Sequence, residues 1–275
     1  MKPIALILLA VYPAFFAHAG ERPGVVKSTA AARAEQAAKP EAREPGAAEG
    51  RYRDMAFIPA GEFFMGSDEK DYPEQHPRHK VFLDAYFIDK YEVTAAQYRL
   101  FAKEKGLTMP RQSSADKDNY PAVYMNWYDA VEYCRHYGKR LPTEAEWEKA
   151  AGGGSSGKFC FGDDKALLRE YAWYWDNSGK KIHPVGRRKP NNYGLYDMHG
   201  NVLEWTADWY SADYYAQSPE RDPQGPAEGE AKVIRGGSSF VSAELCSSTT
   251  RMRSSPDTRY SVKGFRCAAS PPGKE

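Results

Sequence analysis

Charge of a single sign is missing from this chain. Its 38 lysines and arginines face 37 aspartates and glutamates, a formal net charge of +1 over 275 residues. No basic or acidic field is therefore available to gather nucleic acid or an anionic membrane surface. Internal repeats are absent, as are the G-x-S-x-G turn of serine hydrolases and the paired-histidine helix motif of zinc proteases. The one extended apolar run, "IALILLAVYPAFFA", is short for a membrane span and is interrupted by Pro13. No cysteine stands near its end, which argues against a lipid anchor.

What is present begins with an export signal. Lys2, the apolar run and "AHA" before Gly20 supply the charged, apolar and small-x-small regions of a cleaved signal peptide over residues 1–19. The mature protein is expected to be periplasmic or secreted, with no membrane span. Residues 20–54 are rich in Ala, Pro, Glu and Arg, carry few large apolar side chains and read as a disordered linker. A folded domain is expected over residues 55–269, followed by a loose tail at 270–275. Its 19 Tyr, 12 Phe and 6 Trp accompany 23 Gly and 19 Pro, which suits a compact, loop-rich fold pinned by rings. Export places Cys134, Cys160, Cys246 and Cys267 where disulfides persist, and four cysteines allow three full pairings.

Three helices carry clear signals. Thr94 caps the first, with Gln97 reaching back, and Gly106 stops it. In the second, Trp127, Ala130, Val131 and Cys134 share one face before Gly138. Thr143 and Glu146 form the capping box of the third. Strands are expected in "MAFIPAGEFFMG" and "KVFLDAYFIDK", and mostly turns from Gly152 to Pro190. The loop "GGGSSGKF" approaches a phosphate-binding motif. Phe159 stands where a magnesium-binding Ser or Thr is needed, and the loop follows a helix instead of joining a strand to one, so nucleotide binding is not expected.

The phrases "FIPAGEFFMGS", "YFIDKYEVTAAQYRLF", "KRLPTEAEWEKAA", "NNYGLYDMHGNVLEWTADWY", "VIRGGSSF" and "GFRCA" together resemble the sulfatase-modifying factor family, the formylglycine-generating enzymes. The resemblance implies an α+β fold of C-type-lectin type with much irregular structure. It also implies an oxidoreductase that turns a substrate cysteine into formylglycine, using copper(I) on two thiolates, a soft-ligand site that suits this metal. Here the second thiol position falls on Cys246, but the first falls on Val241. Leu203, Val262 and Ser239 also replace the family's usual residues. These departures argue against copper chemistry, and Cys246 reads as half of a redox centre. Should the pocket be catalytic, Cys246 and Ser238 are the residues expected to line it.

The resemblance further implies a calcium site from the Asp197 and Glu204 carboxylates with the carbonyls of Gly200 and Val202, a hard-oxygen set around a tight turn. A second calcium site of the family is not carried over, because Trp173 occupies one of its positions. Cys134 and Cys267 match a disulfide of relatives. Cys246 has three open readings: a reactive thiol, a partner of Cys160, or an inert buried residue. His76 and His79 have metal-like spacing but no third ligand, and Arg235, Arg251, Arg253 and Arg266 read as structural partners of carboxylates such as Glu146. The expected role is maturation of, or binding to, another exported protein or peptide by a monomer. The alternative is a non-catalytic lectin-like binding module.

Overall fold

The computed structural model describes residues 52–110, 112 and 118–273. The expected signal peptide, nearly all of the linker and the end of the tail lie outside them. Four strands open the domain: β1 (Met55–Ile58), β2 (Gly61–Met65), β3 (His79–Leu83) and β4 (Tyr86–Asp89). Three helices follow, α1 (Ala95–Lys105), α2 (Trp127–His136) and α3 (Glu144–Gly152), then a single turn, α4 (Leu168–Tyr171). The remaining strands are β5 (Leu203–Trp209), β6 (Lys232–Arg235), β7 (Arg251–Ser254), β8 (Lys263–Gly264) and β9 (Ala268–Ala269). They form sheets in the orders β1-β4-β9, β2-β3 and β7-β6-β5-β8. The α+β expectation therefore holds. No helix of the described residues is long and apolar enough to cross a membrane.

The caps act as the sequence leads one to expect. Gln97 N–H donates to Thr94 Oγ1 and Thr94 N–H to Gln97 Oε1, while Glu146 and Thr143 make the same reciprocal pair on α3. A third box, Asn126 with Asp129, begins α2. The buried face of α2 is carried by Ala130, Tyr133 and Cys134, with Trp127 and Val131 only half-buried. Cys134 is joined to Cys267 across 133 residues of sequence, with Cα atoms 5.7 Å apart. In the chain-entropy picture, closing so long a loop stabilises the fold by about 4–5 kcal/mol.

Although "EAEWEKAAG" looks like a surface helix, every residue of α3 is buried. Trp147 packs with Ile58, Val81, Leu83 and Ile88 in one core, and its acidic neighbours meet arginines. Glu144 holds Arg251 through two bonds of 2.8 Å, and Glu148 pairs with the fully buried Arg235. Buried charges survive only when paired, so Glu144 and Glu148 depend on arginines from β7 and β6. Glu146 differs from the expectation. It is held by Arg140 beside its own cap, with two bonds of 2.6 Å, instead of by the β-strand arginines. A second core joins α1 and α2 to Trp205, Phe265 and the disulfide, and a smaller third gathers Phe159, Leu168, Ala172, Tyr174, Ala243 and Cys246.

Candidate functional site

The end of β6 turns sharply through Gly236 and Gly237, at φ 96° and 69°. Gly237 is obligatory for space as well as for conformation. A Cβ there would lie 2.7 Å from Cys246 Sγ and 2.8 Å from Leu245 O. The turn delivers Ser238, 1 % exposed, whose Oγ accepts the Phe240 N–H at 3.3 Å. Ser239 follows, donating from its hydroxyl to Asn201 O at 2.7 Å while its own carbonyl accepts from Ser178 Oγ. The chain then passes Val241, whose carbonyl accepts the Trp175 N–H, and enters a 3₁₀ turn, Ala243–Cys246.

Cys246 is completely buried in the third core. Its Sγ faces Ser242 O at 3.6 Å, and burial pushes the thiol up to about 12. Cys160, also buried and also pushed up to about 12 by burial, remains a thiol, so the two do not form a bridge. His199 links their backbones instead. Cys160 N–H donates to His199 Nε2 at 3.2 Å, which leaves the proton on Nδ1, and Nδ1 donates to Cys246 O at 2.9 Å. Burial pushes this imidazole down to about 4, keeping it neutral. Phe159 and Phe161 stack on each other as one wall of the cluster, and Phe161 also stacks on Tyr171.

A thiolate is the nucleophile and the soft-metal ligand, and electropositive, partly exposed surroundings favour it. Cys246 has the opposite surroundings. With Val241 in contact with the same apolar cluster, the residues present do not fit a two-thiolate copper(I) centre. Of the other departures from the family pattern, Leu203 packs on the second core and Val262 beside Val123, Ile182 and Val202, and the two are joined by Leu203 N–H to Val262 O at 2.8 Å. They thus belong to different clusters from Val241.

The residues expected to hold calcium lie on a turn with two left-handed residues, Asp197 at φ 60° and Asn201 at φ 62°. Gly200 between them has no room for a side chain, since a Cβ would come within 2.2 Å of Trp173 O. Asp197 Oδ2 accepts the Gly186 N–H at 2.7 Å, whereas Oδ1 is buried without a hydrogen-bond partner. Burial pushes this carboxyl up to about 6. Glu204 is fully engaged: Arg266 donates to both its oxygens at 2.8 and 2.7 Å, and Trp147 Nε1 donates at 2.9 Å. Sequence reasoning missed Glu92, which accepts from Asn201 Nδ2 and Val202 N–H and is raised by burial and by Asp197 and Glu204. Its place in "DKYEVT", an acid two residues ahead of the Thr94 cap, was the available signal. The orphaned Asp197 oxygen and the hard donors around it suit calcium. Glu204, however, is committed to Arg266, and no set of three His, Cys, Asp or Glu side chains among the described residues is arranged as a metal site.

Trp173 is sandwiched by His183 and Arg188, at 3.7 and 3.5 Å. His76 Nε2 bonds Glu69 O and His79 Nδ1 bonds Pro77 O, while His79 Nε2 is buried without a partner beside the Tyr215 ring. Of Arg235, Arg251, Arg253 and Arg266, only Arg253 lacks an ion pair among the described residues, lying over the Tyr210 ring.

With this geometry in hand, comparison with known proteins is informative. Residues 41–271 match the family model described as sulfatase-modifying factor enzyme 1-like domain. The chain is 33% identical to the formylglycine-generating enzyme of Thermomonospora curvata, over 79% of this chain and 93% of that protein. It is 30% identical to the mouse (Mus musculus) protein named inactive C-alpha-formylglycine-generating enzyme 2, over 78% of this chain and 85% of that one. Among solved structures, PvdO from Pseudomonas aeruginosa superposes with a TM-score of 0.73 at 29% identity, covering 84% of this chain and all of PvdO.

Proposed function

Because the chain belongs to the sulfatase-modifying factor family, we propose that it serves another exported protein or peptide as a maturation factor that acts by binding. Copper-dependent oxidation of cysteine is not part of this role. One observation carries the reading: Cys246 is wholly buried among apolar side chains, with Val241 where a second thiolate would stand. A protonated, solvent-free thiol offers neither a copper ligand nor a group that a substrate cysteine can reach. Ser238, equally buried, serves the turn.

Calcium fits this role as a structural ion. Asp197 and the carbonyls of Gly200 and Val202 would hold it, with Glu204 joining only if it leaves Arg266. The ion would supply positive charge to buried carboxylates, among them Glu92, which burial and mutual repulsion now hold towards their protonated forms. The N-terminal signal segment supports export of the mature chain.

The test pairs metal binding with turnover. The purified protein is titrated with copper(I) against a chromogenic chelator, then incubated aerobically with copper and a Cys-x-Pro-x-Arg peptide followed by mass spectrometry. The expected result is no chelator-resistant copper and no aldehyde. Tight copper binding together with aldehyde from the unmodified protein overturns the reading.

A further inference from the structure

A cavity of about 250 Å³ opens beyond the C-terminal end of α3. Its walls come from β2, the C-terminal half of α3, Tyr193 and the residues just after Cys246. The loop "GGGSSGKF", which nothing in the family chemistry uses, supplies Gly154, Ser155, Ser156 and Gly157 to its rim. Ser248 lines the cavity and is 4 % exposed, yet its hydroxyl has no hydrogen-bond partner. A buried unpaired hydroxyl costs about 1–3 kcal/mol. Its backbone is not at fault, since Ser248 N–H donates to Lys158 O at 2.8 Å. The hydroxyl is thus placed firmly and left for something else to satisfy.

The charges around the cavity narrow what that is. Glu62 is paired with Lys80, and Glu148 with Arg235, so neither acid is free. Two basic groups on the same walls have no carboxylate partner among the described residues. Arg78 lies with its guanidinium 4.2 Å over the Phe64 ring, and Lys149 donates to the carbonyls of Pro59 and Gly61, both at 2.9 Å. Lys149 spends two of its three N–H donors on those carbonyls. A dianion is disfavoured, because Lys149 is already shared with two carbonyls and the negative end of the α3 dipole also faces this space. A monoanion with an apolar body suits the remainder, with Phe63, Phe64 and Tyr193 as its apolar wall. The volume falls just below the range of about 300–1,000 Å³ usual for small-molecule sites, so the ligand is small.

We propose that this cavity binds a small organic carboxylate of about dipeptide size, with Arg78 and Lys149 meeting the carboxylate, Ser248 and the Ser155–Ser156 pair meeting its other polar atoms, and Phe63 and Phe64 covering its apolar part. The site needs nothing from Cys246 and is independent of the fate of the copper chemistry. Nucleotides do not suit it, because the loop follows a helix C-terminus and their charge exceeds what Arg78 and Lys149 offset. A free acid and the C-terminus of a peptide present the same carboxylate, and the site recognises that shared group.

The test is calorimetry on the full chain with N-acetyl-Phe-Ala, its C-terminal amide, and a longer peptide ending in the same residues. Saturable binding of the acid, weakened about tenfold in the amide, is the expected result. Binding of the longer peptide as well identifies the natural source as a chain end, and its failure to bind identifies a free acid. Arg78→Met and Ser248→Ala should each weaken binding of the acid about fivefold or more, with unaltered thermal unfolding showing that both variants fold. No saturable binding of the acid, equal binding of acid and amide, or unchanged affinity in both variants overturns the proposal.

Discussion

Cys246 and Ser248 stand two residues apart and face opposite worlds. The first is closed in by Phe159, Leu168, Tyr174 and Ala243, and its polar atom is almost idle. The second is equally buried, but its idle hydroxyl lines a cavity bounded by Arg78 and Lys149. The position that the family resemblance marks for a thiol is packed solid, and the nearby open space carries Arg78, Lys149 and Ser248 beside an apolar wall. Open space and chemistry-bearing residues have therefore separated along this segment, and the sequence motif alone marks only one of them.

The strongest challenge to the closed side is Gly237→Ala. Its new Cβ meets Cys246 Sγ and Leu245 O below 3 Å at a positive φ, so a loss of about 3–4 kcal/mol is expected in urea unfolding. A loss under 1 kcal/mol would mean that the cluster is looser than it looks. Cys246→Ser, which buries a hydroxyl among apolar groups, should cost about 1–3 kcal/mol. Carboxylate binding two residues away should be untouched, because the two sides share no polar contact.

Titration separates the two sides by sign. The Cys246 thiol is raised from 9.0 to about 12 in the fold, so its contribution is complete below pH 9 and is lost as pH rises toward 12. Lys149 is lowered from 10.5 to about 8 by burial, so its contribution is present above pH 10.5 and is lost as pH falls through 8. Between pH 9 and 10.5 wild type should therefore lose about 2 kcal/mol that Cys246→Ala retains, at 1.36 kcal/mol per unit. Lys149→Met should instead lack a rise over pH 8–10.5. Chemical denaturation of the three proteins across that range checks both slopes. The smallest effect is expected for Ser248→Ala, whose hydroxyl satisfies nothing in the unliganded protein. Its stability should stay within about 0.5 kcal/mol of wild type or rise.

Much of the scaffold was readable from residues. Thr94 with Gln97 and Thr143 with Glu146 announced two helix starts because capping is local chemistry, decided within four residues. The Asn126–Asp129 box uses the same chemistry with less familiar letters. The burial of α3 was not readable, because its acids look solvated until arginines from strands about 90–110 residues away neutralise them. Glu146 was assigned to a distant strand arginine although its true partner, Arg140, lies only six residues before it. The closing of the Cys246 site was also hidden, since it depends on Phe159 and Phe161 arriving from a turn-rich stretch. "KFCFG" is the one clue, an aromatic pair around a cysteine with no strand or helix to explain it. The cavity beyond α3 was missed because its loop was tested only against nucleotides.

The link from Cys134 to Cys267, together with β9 against β4, joins the domain's final residues to its opening sheet. A ribosome delivers this chain from its N-terminus, and the strand that completes that sheet comes last in the domain. Closure of the sheet must therefore wait until residues 267–269 have emerged. Any shortened product ending before residue 267 emerges with an open sheet edge and an unpaired sulfur, the two features that quality-control proteases and aggregation act on first.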